Sequence, residues 1–187
     1  MLRRLLLLAG LTVLGGCATP LEVSNVTEIR SNTGSKEIDV YAPKRKSDQT
    51  AVPEFAGDQL VEVRTYATKD DGAEIEIAGA SCSLSAADFS ATMQSPAKVR
   101  VPLYRGQSSA LAVSCEMPGY KKKLITVAPI DVTRQSRYSG AGSGGLIGVV
   151  AVAAIDSMAD NSKNDWRYPI ARVVLERDDP AKARTGG

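Results

Sequence analysis

Apolar and polar residues alternate with a period of two along most of the chain from Gln59 onward, the pattern of strands with one buried face. Leu60-Val61-Glu62-Val63-Arg64-Thr65-Tyr66 is the first such run, closed by the turn signal Asp70-Asp71-Gly72. Ala73-Glu74-Ile75-Glu76-Ile77-Ala78 follows and leads to Cys82 and Leu84. Lys98-Val99-Arg100-Val101-Pro102-Leu103, Ala110-Leu111-Ala112-Val113-Ser114-Cys115 and Lys123-Leu124-Ile125-Thr126-Val127 continue the series, and Ile170-Ala171-Arg172-Val173-Val174-Leu175 ends it. Short strands, frequent turn signals and a cysteine on each of two strands predict a mainly β fold, a small antiparallel β-sandwich over residues 59–177. Before it, residues 17–58 are polar and turn-rich, with only brief alternation such as Glu37-Ile38-Asp39-Val40-Tyr41. They read as a tether contributing one or two strands to the domain, and residues 178–187 as a disordered tail.

One segment breaks the period. Gly140-Ala141-Gly142-Ser143-Gly144-Gly145 leads into an apolar run at 146–155, predicting a Gly-rich helical insertion at 140–160 before the last strand. Gly140, Gly144 and Gly148 lie four apart, the small-residue spacing that lets helices approach closely. Ten apolar residues are too few to cross a bilayer, which takes roughly 20. These glycines are therefore candidates for packing on the sandwich, for pairing with another copy, or for contact with a membrane.

The N-terminus has a different pattern. Arg3 and Arg4 precede a ten-residue apolar run at 5–14, with the length and flanks of a secretory signal. Leu14-Gly15-Gly16-Cys17 then matches a lipobox: a bulky apolar residue, two small ones that let the maturation peptidase reach the backbone, and the cysteine that takes a diacylglycerol. Residues 1–16 are expected to be removed and Cys17 to become a lipid anchor. By resemblance to bacterial lipoproteins generally, in which an aspartate after the lipidated cysteine signals retention at the inner membrane, Ala18 implies the periplasmic side of the outer membrane.

Loss of Arg3 and Arg4 from 23 Lys+Arg leaves 21 cations against 21 Asp+Glu. A near-neutral chain has no basic footprint for nucleic acid. With Cys17 committed to lipid, Cys82 and Cys115 form an even pair in a compartment that permits disulfides, and they are expected to bond. No metal site or cofactor is expected, since two cysteines without histidine make a poor zinc site.

Three stretches resemble a PEGA-like module of proteobacterial envelope lipoproteins: Gly79-Ala80-Ser81-Cys82-Ser83-Leu84, Ser95-Pro96-Ala97-Lys98-Val99-Arg100-Val101 and Leu111-Ala112-Val113-Ser114-Cys115-Glu116-Met117-Pro118-Gly119-Tyr120. With the Gly-rich segment and Tyr168-Pro169, the resemblance covers residues 75–176. It departs from that pattern at Ala86-Ala87-Asp88-Phe89, which stands where an Asn- or Gly-containing turn is usual. The resemblance implies a small β-sandwich with a scaffolding role, a cysteine pair linking two strands and no catalytic activity.

Signals for chemistry are weak. Without histidine a Ser-His-Asp triad is impossible. Ser95-Pro96-Ala97-Lys98 fits the Ser-x-x-Lys pattern but runs into a strand rather than a helix, and no Lys-Thr-Gly or Ser-Asp-Asn accompanies it. Asp160-Asn161-Ser162-Lys163-Asn164-Asp165 has oxygens spaced like a calcium loop, with Asp165 where glycine is required and Ala171 where a bidentate glutamate belongs. Lys121-Lys122-Lys123 is a solvated turn or a contact for anionic lipid or wall polymer. Trp166 and Tyr168 are core anchors or an interfacial aromatic pair. The expected protein is thus a non-enzymatic envelope lipoprotein, bound to the bilayer through Cys17 and to an unidentified envelope partner. The alternative is a self-assembling or membrane-inserting protein that uses residues 140–155.

Overall fold

The computed structural model describes residues 19–47, 52–106, 108–141 and 160–178. The predicted lipidation site Cys17, the glycines Gly144 and Gly148, the signal at 1–16 and all but the first residue of the 178–187 tail lie outside them. The described chain is mainly β, as the alternation predicts. Its strands are β1 (Val26–Glu28), β2 (Arg30–Ser31), β3 (Phe55–Thr68), β4 (Glu74–Ile77), β5 (Ser81–Ser85), β6 (Phe89–Gln94), β7 (Ala97–Tyr104), β8 (Leu111–Glu116), β9 (Lys123–Val127), β10 (Ile130–Asp131), β11 (Trp166–Arg167) and β12 (Ala171–Leu175). Among the described residues two α-helices accompany them, α1 (Ala42–Lys46) and α2 (Val132–Ala141), with a 3-10 turn at Asn161–Lys163.

β3 is the spine of the first sheet. One of its edges takes β7 along residues 55–63 and then β4 along 65–68, while the other takes β12 along 63–67; β1 adds to the far side of β7. Gly57, at φ +113°, sits at the bulge where the β3–β7 register shifts. The β1–β7 and β3–β12 pairs are parallel, so this sheet is mixed rather than antiparallel as expected. Alternation looks the same in either direction. The long connection between β3 and β12, which builds the second sheet apart from β2, supplies the crossover a parallel pair requires.

The second sheet runs β2-β6-β5-β8-β9 and is antiparallel throughout. Cys82 on β5 and Cys115 on β8 are direct partners, Cα atoms 4.1 Å apart, and form the expected disulfide. It joins neighbouring strands of one sheet and does not bridge the two sheets.

Inward-facing side chains of both sheets enter one buried cluster. Val61, Val63, Val99, Val101 and Leu103 come from the first sheet; Leu84, Phe89, Leu111 and Val113 come from the second. Each fully buried Leu or Val is worth about 1.5–3 kcal/mol of transfer energy, so this shared cluster dominates the stabilisation.

One predicted element differs, and of the Gly-rich insertion expected at 140–160 only residues 140, 141 and 160 are among the described residues. Residues 37–41 form a turn and not a strand. Ser35 Oγ donates to Asp39 O (2.9 Å) and accepts from Glu37 N (3.1 Å), while Asp39 Oδ1 accepts from Tyr41 N (3.1 Å). Such local bonds occupy backbone groups that a strand would need. Helix α2 begins at Val132, ahead of the glycines, and Gly140 lies in its last turn. Its first turn is capped by Asp131, whose Oδ1 accepts from Arg134 N at 2.8 Å. The pairs Ile130↔Arg167 and Asp131↔Trp166 form a small ribbon, so the chain leaves for α2 and returns from it at one neck.

Candidate functional site

The turn at 37–41 positions a cluster of tyrosines and carboxylates where the N-terminal segment meets both sheets. Tyr104, at the end of β7, accepts a hydrogen bond from Val40 N (3.0 Å) and donates to Asp39 Oδ1 (3.2 Å). Arg45 Nη2 on α1 closes on the other Asp39 oxygen at 2.6 Å. The Tyr41 ring packs edge-on against Tyr104, centroids 5.0 Å apart, and its hydroxyl donates to Asp88 in the β5–β6 turn. Tyr168 donates to Ser109 O (2.7 Å), and the Gln59 side chain holds the Tyr168 backbone through both N–H (2.9 Å) and C=O (2.7 Å).

These groups enclose a cleft of about 170 Å³ lined by Tyr41, Tyr104, Tyr168 and Phe89, by Pro53 and Pro102, and by Asp88. Burial pushes Tyr41 up to about 12, and the hydrogen bond to Asp88 adds to the shift. Burial also raises Tyr168 to about 12 and lifts Tyr104 further, with the Asp39 charge reinforcing it. The three phenols therefore remain protonated donors at neutral pH, already spent on partners within the protein. What the cleft offers a visitor is ring edges, proline surface and one carboxylate, a setting for an apolar or cationic group.

A shallower and larger concavity, about 430 Å³, lies on the outer face of the second sheet. Thr92, Ser83 and Ser114 stand side by side on β6, β5 and β8, with Ser81, Gln94 and Glu116 in the next row. Lys122 closes on Glu116 at 3.5 Å at one end. The face is small and hydroxylic, suited to polar contacts along its length.

The residues singled out in the sequence fall apart as a catalytic set. Ser95 is buried, its hydroxyl 2.5 Å from Thr65 Oγ1, which itself donates to Ile77 O at 2.7 Å. Lys98, on β7, reaches outward to Glu62 at 3.9 Å. In the 160–165 loop the Ser162 hydroxyl, together with Ser162 N donating at 3.0 Å, holds the Asp160 carboxyl below its ordinary range. Asn164 is buried and donates to Asp131 at 2.7 Å, and Asp165 lies 3.6 Å from Arg105. No group of three or more metal-ligating side chains occurs among the described residues. Lys123 pairs with Glu176 at 3.3 Å. Tyr168 is a core residue, while Trp166 is half-buried in the β10–β11 ribbon. Gly140 lies in α2, the one glycine of the spaced triplet within the described residues.

The tyrosine cluster escaped the sequence reading because Asp39, Asp88 and Tyr104 are brought together only by the fold. The available signal was the bias of the aromatic residues, six Tyr against two Phe and one Trp. Comparison with protein-family models, curated proteins and solved structures gave no match.

Proposed function

We propose that this chain is a cell-envelope lipoprotein, held by an acylated Cys17 on the periplasmic side of the outer membrane, whose β-domain is a non-catalytic structural or protein-interaction module. The observation that carries the reading is the lipobox Leu14-Gly15-Gly16-Cys17 on a chain whose two remaining cysteines are disulfide-bonded. Both belong to an exported protein, because such bonds persist in oxidising compartments. Two sheets around one core support a β-sandwich in keeping with the PEGA-like resemblance. Mass spectrometry of the N-terminal peptide tests the anchor. The wild-type peptide should begin at Cys17 with a diacylglycerol, and Cys17→Ser should abolish both the modification and membrane fractionation. An unmodified Cys17 in the wild type refutes the proposal.

A second reading, self-assembly or membrane insertion through residues 140–155, draws support from α2, which brings Gly140 to the segment in helical form. Under it, Gly144→Leu with Gly148→Leu should convert an oligomer to a monomer in sedimentation velocity. A wild-type monomer that does not bind vesicles when Cys17 is replaced removes it.

A further inference from the structure

We propose that the outer face of the first sheet is the membrane-facing side of the protein, held against the phospholipid headgroup layer by a leash only a few residues long. This rests on acylation of Cys17. Residues 17–58 read from sequence as a tether, yet the chain is fastened far earlier. Glu76 Oε2 accepts from Leu21 N at 2.8 Å, and Arg64 Nη1 donates to Leu21 O at 3.1 Å. Both partners stand on the outer face of the first sheet, Arg64 on β3 and Glu76 on β4, and they also bond each other at 2.6 Å. Lys98 N then donates to Asn25 O (3.0 Å), and β1 pairs along β7 directly afterwards.

Three residues lie between Cys17 and Leu21, four steps of chain with a reach of at most about 14 Å. A lipid on Cys17 therefore brings this face, and not the opposite one, to the bilayer. The face is chemically suited to that position. Leu21, Val26 and Leu60 are 38%, 47% and 41% exposed on it. The cations among them are matched within the protein: Arg100 bonds Glu28 (3.0 Å) and Asp58 (2.8 Å), and Arg172 pairs with Glu74. Contact with headgroups thus covers apolar side chains without requiring anionic lipid. The second sheet supplies an internal control in Leu124, 64% exposed on its outer side.

Hydroxyl-radical footprinting of the acylated full-length protein in phosphatidylcholine vesicles, against the Cys17→Ser protein in solution, tests this orientation. Oxidation of Leu21, Val26 and Leu60 should fall several-fold on the vesicles while that of Leu124 stays constant. Insertion of a flexible Gly/Ser linker of about 15 residues between Thr19 and Pro20 should restore it, because such a linker lets the domain drift away. Acylated protein with both faces equally oxidised, or protection that survives the linker, overturns the proposal while leaving the lipoprotein reading standing. A Cys17 without its acyl group overturns both.

Discussion

On its outer side the first sheet carries Glu62, Arg64, Glu76, Lys98, Arg100 and Arg172, where the second carries Ser81, Ser83, Thr92 and Ser114. Inward, the two contribute the same kind of residue to one core, so the difference lies in how each sheet is secured across its strands. In the first sheet long charged side chains reach between strands: Arg64 bonds Glu62 on its own strand and Glu76 on β4, and Arg100 on β7 bonds Glu28 on β1 and Asp58 on β3. In the second, serine and threonine side chains are too short to reach across, and the lateral tie is covalent, Cys82 to Cys115. One sheet is laced by ion pairs and overlaid by residues near Leu21; the other is stapled from its buried side and left bare outside.

This contrast can be broken from the staple downward. Replacing both Cys82 and Cys115 with Ala, or reducing the bond, releases a 33-residue loop closure worth about 3.5–4 kcal/mol. Calorimetry should show the melting temperature fall by roughly 10 °C, with the second sheet losing hydrogen-exchange protection first. An unchanged midpoint would show the covalent tie to be idle.

In the laced sheet, Arg64→Met removes the cation that Glu62 and Glu76 share, leaving Glu62 only the longer contact to Lys98. The Arg64 and Glu76 side chains are only 12% and 10% exposed, so the loss should be about 2 kcal/mol in urea unfolding. Arg100→Met, at a side chain 39% exposed and screened by water, should cost distinctly less in the same measurement. Equal effects would mean that burial does not set the strength of the lacing.

The tyrosine cluster, where the sheets and the N-terminal segment meet, responds to alkali. Folding raises Tyr41 and Tyr168 from 10.0 to about 12, so the fold prefers their neutral forms. That contribution is complete below pH 10 and is lost as pH rises through 12. Tyrosinate absorbance and near-ultraviolet circular dichroism should therefore change together above pH 10, with a group of late-titrating phenols. Phenols that ionise near 10 without loss of structure would show that the cluster does not couple the regions.

The smallest effect belongs to the bare face. Ser83→Ala and Ser114→Ala should each change stability by less than ~0.5 kcal/mol, since neither hydroxyl ties one strand to the next. A larger loss in chemical denaturation would mean that the hydroxyl row is itself a lacing.

Most strands were legible because a half-buried strand writes its burial directly into alternating residues, as in Val61, Val63 and the outward Glu62 and Arg64. The cysteine pair was legible through its even count. Pairing was not. Nothing in Ala171-Arg172-Val173 distinguishes a parallel neighbour from an antiparallel one, and β1 and β2 are too short and polar to show a period. Asp39 looked like a polar position in a strand, yet its carboxylate captures Tyr41 N and Tyr104, bonds visible only once the turn is formed. The fastening at Leu21 was hidden for the same reason. It depends on Arg64 and Glu76 being brought together by the β3–β4 hairpin, and along the sequence each looks like an ordinary solvated charge.

The neck formed by β10 and β11 has a consequence for how such a chain can vary. Because Ile130 and Arg167 are paired, the residues between them hang from a closed base, and Gly106 N bonds Asn164 O (3.0 Å) to fix that base to the end of β7. Closing a longer loop costs only about 0.6 kcal/mol per doubling of length. The neck is therefore a fixed doorway: a change in the length of sequence between its two strands need not disturb the shared core around Leu84 and Val113.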